Sequence, residues 1–189
     1  MPRCPLPAAS ALLAATLVAV APVAADEAGW AALQAPGTHA LIRHAAAPGT
    51  GDPAGFRIGD CTTQRNLDAA GRAQATRIGA AIRERSVTVG AVISSQWCRA
   101  RDTADLLNLG PVETGPSLNS FFDDRGKADA ASRETMQHLS ALGDRKAVLV
   151  THQVNITALT GIYPSSGEII VVARGSDGGL AVRGRIQAD

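Results

Sequence analysis

Apolar and polar positions divide the chain into two kinds of segment: short near-continuous apolar runs, and longer stretches with apolar residues every three or four positions. His39–Arg43, Gly90–Ser94 and Lys146–Val150 are of the first kind and read as buried strands. Leu67–Arg85 is of the second kind, with Ala70, Ala73, Ile78, Ala81 and Ile82 available for an inner face and Asp68 placed as its N-cap. Trp97–Leu109, Ala128–Leu142 and Val154–Thr160 also read as helices. Asp26–Pro36 reads as a lead-in helix that buries Trp30 and Leu33. Pro111–Thr114 is a short strand, and Glu168–Ala173 with Gly179–Arg183 a closing hairpin around Ser176-Asp177-Gly178. Pro48–Asp60, rich in Gly, Pro and Asp, and Leu118–Lys127 read as loops. Strands alternating with helices predict an α/β fold: a three-layer sandwich with a mostly parallel central sheet and helices on both faces. The hairpin would add antiparallel edge strands.

The first residues stand outside this pattern. Arg3 precedes an apolar run, Ala8–Val20, and the small residues Val23-Ala24-Ala25 follow before Asp26. This is the organisation of a signal peptide, residues 1–25, and the run is shorter than the roughly 20 apolar residues that span a bilayer. Cys4 lies before the run, not after it where a lipid-bearing cysteine belongs. Residues 26–189 then form one domain, expected in the periplasm or outside the cell. Arg3 is the one charged residue of the leader, so the domain is formally neutral, which argues against a nucleic-acid partner. No second apolar stretch is long enough to cross a membrane. Cys61 and Cys98 remain after cleavage, and export favours a bridge between them; the alternative is two buried free thiols. Neither has a close-spaced Cys or His partner, so no zinc site is expected.

Three apolar runs end in polar residues: Arg43-His44, Ser94-Ser95 leading to Arg99, and Thr151-His152. In open parallel sheets ligands bind at the carboxyl ends of strands, so two arginines and two histidines should meet there. Guanidinium groups give forked, charge-assisted hydrogen bonds to phosphate oxygens. A neutral imidazole is a nucleophile toward phosphorus. These residue types point to phosphoryl transfer through a phosphohistidine, with no metal or other cofactor.

Leu41-Ile-Arg43-His44-Ala45 resembles the Arg-His-Gly motif of the histidine phosphatase (phosphoglycerate-mutase-like) superfamily. Asn66-Leu67-Asp68-Ala-Ala-Gly71-Arg-Ala-Gln74-Ala75 is similar to its Leu-Thr-x-x-Gly-x-x-Gln-Ala stretch. Ser94-Ser95-Gln-Trp-Cys-Arg99-Ala100-Arg-Asp-Thr103-Ala104 is similar to its Ser-Ser-x-x-x-Arg-Ala-x-x-Thr-Ala segment, and Val148-Leu-Val-Thr151-His152 to the strand bearing its second histidine. The resemblance implies His44 as nucleophile and Arg43, Arg99 and His152 as the phosphate pocket. Two departures stand out. Ala45 replaces a glycine, and the segment expected to carry an acidic proton donor reads Ser117-Leu118-Asn119-Ser120. Asp123 and Asp124 are the next carboxylates and become the candidate acids, with a capping or turn role as the alternative. Gln153 stands where a branch of the family has Asp.

His39 and His138, outside any motif, read as structural. Arg72 and Arg101 read as solvated helix residues, and Arg57, Arg65 and Arg125 either border the site or face solvent. The expected function is an exported phosphatase acting on a small phosphomonoester, for which an envelope sugar phosphate suits the location. The alternatives are a non-catalytic phosphate- or phosphosugar-binding protein on the same scaffold, and a metal-dependent hydrolase built on His44 and His152. The last lacks the carboxylate ligands such sites use.

Overall fold

A computed structural model describes residue 1 and residues 22–188, with side chains from Asp26 onward. The expected signal peptide lies almost wholly outside the described residues. Helix α1 (Pro22–Gln34) leads into β1 (Thr38–Arg43), and a long loop follows to α2 (Ala69–Glu84). Then come β2 (Ala91–Ser94), α3 (Cys98–Leu107), β3 (Val112–Thr114), α4 (Ala128–Ala141), β4 (Ala147–Thr151), α5 (Gln153–Thr160), β5 (Ile169–Arg174) and β6 (Leu180–Ile186). The described strands form a six-stranded sheet in the order β3-β2-β4-β1-β5-β6. β1, β2, β3 and β4 are parallel, and β5 and β6 pair antiparallel at one edge. Among the described residues no helix is long and apolar enough to cross a membrane.

Strand alternation decides which helix covers which face. Ala40, Ile42, Val92, Val148, Val150, Ile169 and Val171 pack against Trp30 and Leu33 of α1, Ile78 and Ile82 of α2, and Ala104 and Leu107 of α3. Their neighbours Leu41, Ile93, Leu149, Ile170 and Val172 face the other way, against Leu139 of α4 and Ile156 of α5. The expected three layers are therefore present.

Ile78, Ala81 and Ile82 of α2 face the core as expected, and the first half of its inner face differs. Ala70 and Ala73 are exposed, and the buried positions are Gly71, Ala75, Ile78, Gly79 and Ile82. Two close backbone contacts set this phase. A Cβ on Gly71 would lie 1.9 Å from the Ala46 carbonyl oxygen, and one on Gly79 would lie 2.0 Å from that of Leu107. Asp68 caps the helix as expected, accepting from the Gly71 N–H at 2.7 Å. Helix α1 begins at Pro22, ahead of the expected Asp26, and Asp26 accepts from the Gln187 N–H at 3.0 Å.

Candidate active site

The sheet order puts β4 between β2 and β1, so the residues following these three strands are neighbours in space. His152 lies between Ser95 and His44: its Nε2 is 2.8 Å from Ser95 Oγ, and its ring meets that of His44 edge-on at 5.4 Å. Arg99, on the first turn of α3, reaches back so that its Nε donates to His44 Nε2 at 3.2 Å. Arg43, His44, Arg99 and His152 all line one cleft of about 140 Å³, together with Arg65, Ser120, Phe122 and Gln153.

Hydrogen bonding fixes the tautomer of His44, and burial keeps both imidazoles neutral. His44 Nδ1 lies 2.8 Å from the Ala45 carbonyl, which can only accept, so Nδ1 carries the hydrogen and Nε2 presents a lone pair toward Arg99. Burial, with the charges of Arg99, Arg43 and Arg65 added, pushes the His44 pKa from 6.5 down to about 3, against the pull of its bond to the Ala45 carbonyl. His152 is held neutral by complete burial, reinforced by His44 and the same arginines. Ser95 Oγ accepts from the Trp97 N–H at 3.2 Å, donates to Asn119 Oδ1 at 3.3 Å and lies 2.8 Å from His152 Nε2. His152 Nδ1 has no partner, and neither has the buried Arg43 Nε. A buried guanidinium N–H left open beside a cationic cleft is suited to an anion.

The residues of the motif-like segments hold this geometry in place. The His44 N–H bonds to the Thr151 carbonyl at 2.9 Å, carrying the β1–β4 pairing one step past the strand. Thr103 Oγ1 accepts from the Ala45 N–H at 3.0 Å and donates to the Arg99 carbonyl at 2.7 Å, tying α3 to the His44 loop. Gln74 accepts from the Ala46 N–H and donates to the Ser166 carbonyl, both at 3.0 Å. Ala45 does not line the cleft; it is fully buried against Leu67 and Ala75, so the residue that replaces glycine faces away from the phosphate pocket.

Two expected participants are not brought to the cleft. Asp123 and Asp124 are exposed, absent from its walls, and Asp124 pairs with Lys127 at 3.1 Å. The loop carrying them turns outward because Phe121 is the residue it buries, while Phe122 lines the cleft mouth under the Arg125 guanidinium at 5.2 Å. No residue lining the cleft has a carboxyl group. Arg57 and Arg101 face solvent. Arg65, by contrast, lines the cleft, half-buried, and bonds the Gly51 carbonyl at 2.8 Å and the Ala47 carbonyl.

The most consequential omission from the sequence reading is Asp52. It grips Arg99 with both oxygens, at 2.6 and 3.1 Å, and accepts from Trp97 Nε1 at 2.9 Å. Cys61 and Cys98 form a disulfide that ties the Asp52-bearing loop to the start of α3. Gln64 adds a second tie, accepting from the Cys98 N–H at 2.9 Å.

A family described as "Histidine phosphatase superfamily (branch 1)" has a sequence model that matches residues 40–122. Over this segment, somewhat less than half of its length, the chain is similar to that superfamily. The matched segment carries Arg43, His44, Arg65 and Arg99, and the site is completed beyond it by His152. No curated protein is significantly similar to the chain in sequence. Solved structures share the histidine phosphatase fold at low identity. The protein histidine phosphatase SixA complexed with tungstate is 16% identical, with a TM-score of 0.59 over 80% of this chain and 97% of its own. A mycobacterial glucosyl-3-phosphoglycerate phosphatase with VO3 is 16% identical, with a TM-score of 0.54 over 80% and 99%. Phosphoserine phosphatase of Entamoeba histolytica with 3-phosphoglyceric acid is also 16% identical, with a TM-score of 0.57 over 79% and 96%.

Proposed function

We propose that this protein is an exported phosphatase that hydrolyses a small phosphorylated substrate through a phosphohistidine on His44. The observation that carries this reading is the hydrogen-bond state of the cleft: a neutral His44 with its Nε2 lone pair facing Arg99, beside an open buried N–H of Arg43 and an unpartnered ring nitrogen of His152. The substrate phosphoryl oxygens would accept from the open Arg43 N–H. The Nε2 lone pair then attacks phosphorus, and the bond to the departing oxygen breaks with its electron pair leaving on that oxygen. Arg43, Arg65 and Arg99 offset the charge on the transferring group. In the second half, water attacks phosphorus and the P–N pair returns to Nε2, while the proton lost by water passes to phosphate or solvent.

No metal ion enters these steps, and among the described residues no cluster of three or more His, Cys, Asp or Glu is arranged to hold one. Similar folds crystallised with tungstate or VO3 support an oxyanion as the ligand class. A sugar phosphate, the substrate that export suggests, needs a proton on its departing alkoxide, and no cleft-lining residue is an acid. Leaving groups that depart as weaker bases suit this site better. Export itself rests on the sequence of residues 1–25 and agrees with the disulfide between Cys61 and Cys98.

Turnover of an aryl phosphate by residues 26–189 in the presence of a chelator tests the reading. The expected result is metal-independent hydrolysis with an acid-labile, base-stable phosphoenzyme, and alkyl phosphates slower by on the order of a hundredfold or more. Tight phosphate binding without turnover would instead show a phosphate-binding protein. Turnover lost to the chelator would overturn the metal-free route.

A further inference from the structure

We infer that Asp52 is a positioning residue for phosphoryl transfer, holding the Arg99 guanidinium by its far edge so that its near edge faces His44 and the transferring group. The inference rests on the phosphatase reading above. Of the five N–H groups of Arg99, two go to Asp52 at 2.6 and 3.1 Å and one, on Nε, goes to His44 Nε2 at 3.2 Å. A carboxylate bonded to both terminal nitrogens occupies the end of the planar fork and leaves the side that contains Nε open. The arginine is thereby clamped end-on by Asp52 and presented side-on to the nucleophile.

The clamp is itself fixed. Asp52 also accepts from Trp97 Nε1 at 2.9 Å, and the Trp97 ring stacks on Phe56 at 4.8 Å and meets His152 edge-on at 5.4 Å. Gly49 and Gly51, with φ of 92° and 70°, turn the loop so that Gly49, Thr50 and Gly51 wall the cleft while Asp52 passes behind Arg99. Arg65 fastens that turn by its bonds to the Gly51 and Ala47 carbonyls. The pair is nearly dry, with side-chain exposures of 4% for Arg99 and 11% for Asp52. In such surroundings a guanidinium without its counter-ion would be costly to keep in place.

Two other roles fit less well. As a proton donor Asp52 would have to be protonated. Burial favours that, but the bonds from Arg99 and Trp97 oppose it and prevail, and the carboxyl does not line the cleft. As a stand-in for phosphate it would have to occupy the edge of Arg99 facing His44, and it occupies the opposite one.

Asp52→Ala and Asp52→Asn, made in the mature protein with its disulfide intact, distinguish these roles by kinetics. Asp52→Asn keeps an oxygen for Trp97 and most of the shape, so it reports even if Asp52→Ala fails to fold. Positioning predicts that kcat on an aryl phosphate falls on the order of tenfold to a hundredfold, while KM moves less than about threefold. Inhibition by vanadate should weaken in step with kcat, and inhibition by phosphate should stay nearly constant. Unchanged kcat with tighter phosphate binding would mean that the carboxylate merely competes for Arg99. A rise in KM at constant kcat would mean that it serves ground-state binding, and either result overturns the inference. An active wild type with unaffected variants defeats the positioning role alone, whereas an inert wild type defeats the phosphatase reading beneath it.

Discussion

The two ends of β1 carry similar residues and behave in opposite ways. His39 near the start and His44 just after the end are both buried, and burial lowers the pKa of both. Each has cationic company: Lys146 for His39, and Arg43, Arg65 and Arg99 for His44. At the start of the strand the polar groups are satisfied. His39 Nδ1 accepts from the Ala147 N–H at 3.2 Å, and Lys146 Nζ donates to the Ala35 and Thr38 carbonyls and to Thr38 Oγ1 at 2.6–3.2 Å. At the far end Arg43 Nε and His152 Nδ1 have no partner, and burial, with the charge of Arg99 added, lowers the pKa of Arg43 and Arg65. Burial and a depressed pKa therefore do not mark a site here. Unfinished hydrogen bonding among like charges is what distinguishes the far end, and it suits an incoming anion.

The sharpest way to break this comparison is to remove each histidine. His44→Ala should lower kcat by on the order of a thousandfold or more and abolish the phosphoenzyme, because it deletes the atom that receives phosphorus. His39→Ala should leave kcat within about twofold and lower stability by about 1–3 kcal/mol, since it orphans the Ala147 N–H. Steady-state kinetics and denaturant midpoints read both. Equal losses of activity would show that the two ends are not functionally distinct.

A smaller, paired effect is expected from the cations. Arg43→Met should cost on the order of a hundredfold in kcat/KM while changing stability little, because relief of the repulsion from Arg99 and removal of a buried nitrogen without a partner offset the lost Nη1 bond to the Pro164 carbonyl. Lys146→Met should do the reverse. Its three acceptors lose a donor, for about 1–3 kcal/mol, and catalysis at the other end of the sheet is untouched. A destabilised Arg43→Met with normal turnover would contradict the assignment of the unsatisfied end to function.

The same contrast explains what was legible in the sequence. Strand ends were legible because apolar runs stop abruptly at polar residues, which located Arg43, His44, Arg99 and His152 without knowledge of the loops. The cysteine pair was legible from export and an even count. Asp52 was not, because nothing in Gly49-Thr50-Gly51-Asp52-Pro53 distinguishes a carboxylate that will be buried against Arg99, 47 positions away, from one that caps a turn. Arg65 was equally ambiguous for the same reason. Asp123 and Asp124 showed the opposite error: proximity in sequence to an expected acid position suggested a role, but burial of Phe121 sends the loop outward. On α2, Ile78, Ala81 and Ile82 were legible as the inner face, but alanine is tolerated both buried and exposed, so Ala70 and Ala73 were misplaced where Gly71 and Ala75 turn inward.

The mildest test of the comparison is pH. His44 and His152 both have folded-state pKa values below the 6.5 of an unfolded histidine, about 3 for His44. Below pH 6.5 the unfolded chain therefore binds protons at these positions that the folded chain refuses. Their contribution to stability is complete above 6.5 and falls as pH drops toward the folded values, by up to about 1.4 kcal/mol per pH unit for each histidine. His39 acts in the same direction. Removing His44 should make the slope of stability between pH 6.5 and 4 measurably shallower, which denaturant titrations at several pH values would show. Catalysis should respond differently. His44 stays neutral throughout, so kcat for an aryl phosphate should be nearly flat from about pH 5 to 8, where an ordinary histidine nucleophile would lose activity on the acid side. An acid limb with a midpoint near 6.5 that disappears at no other site would show that His44 titrates normally, and that burial beside Arg43 and Arg99 does not hold its lone pair free.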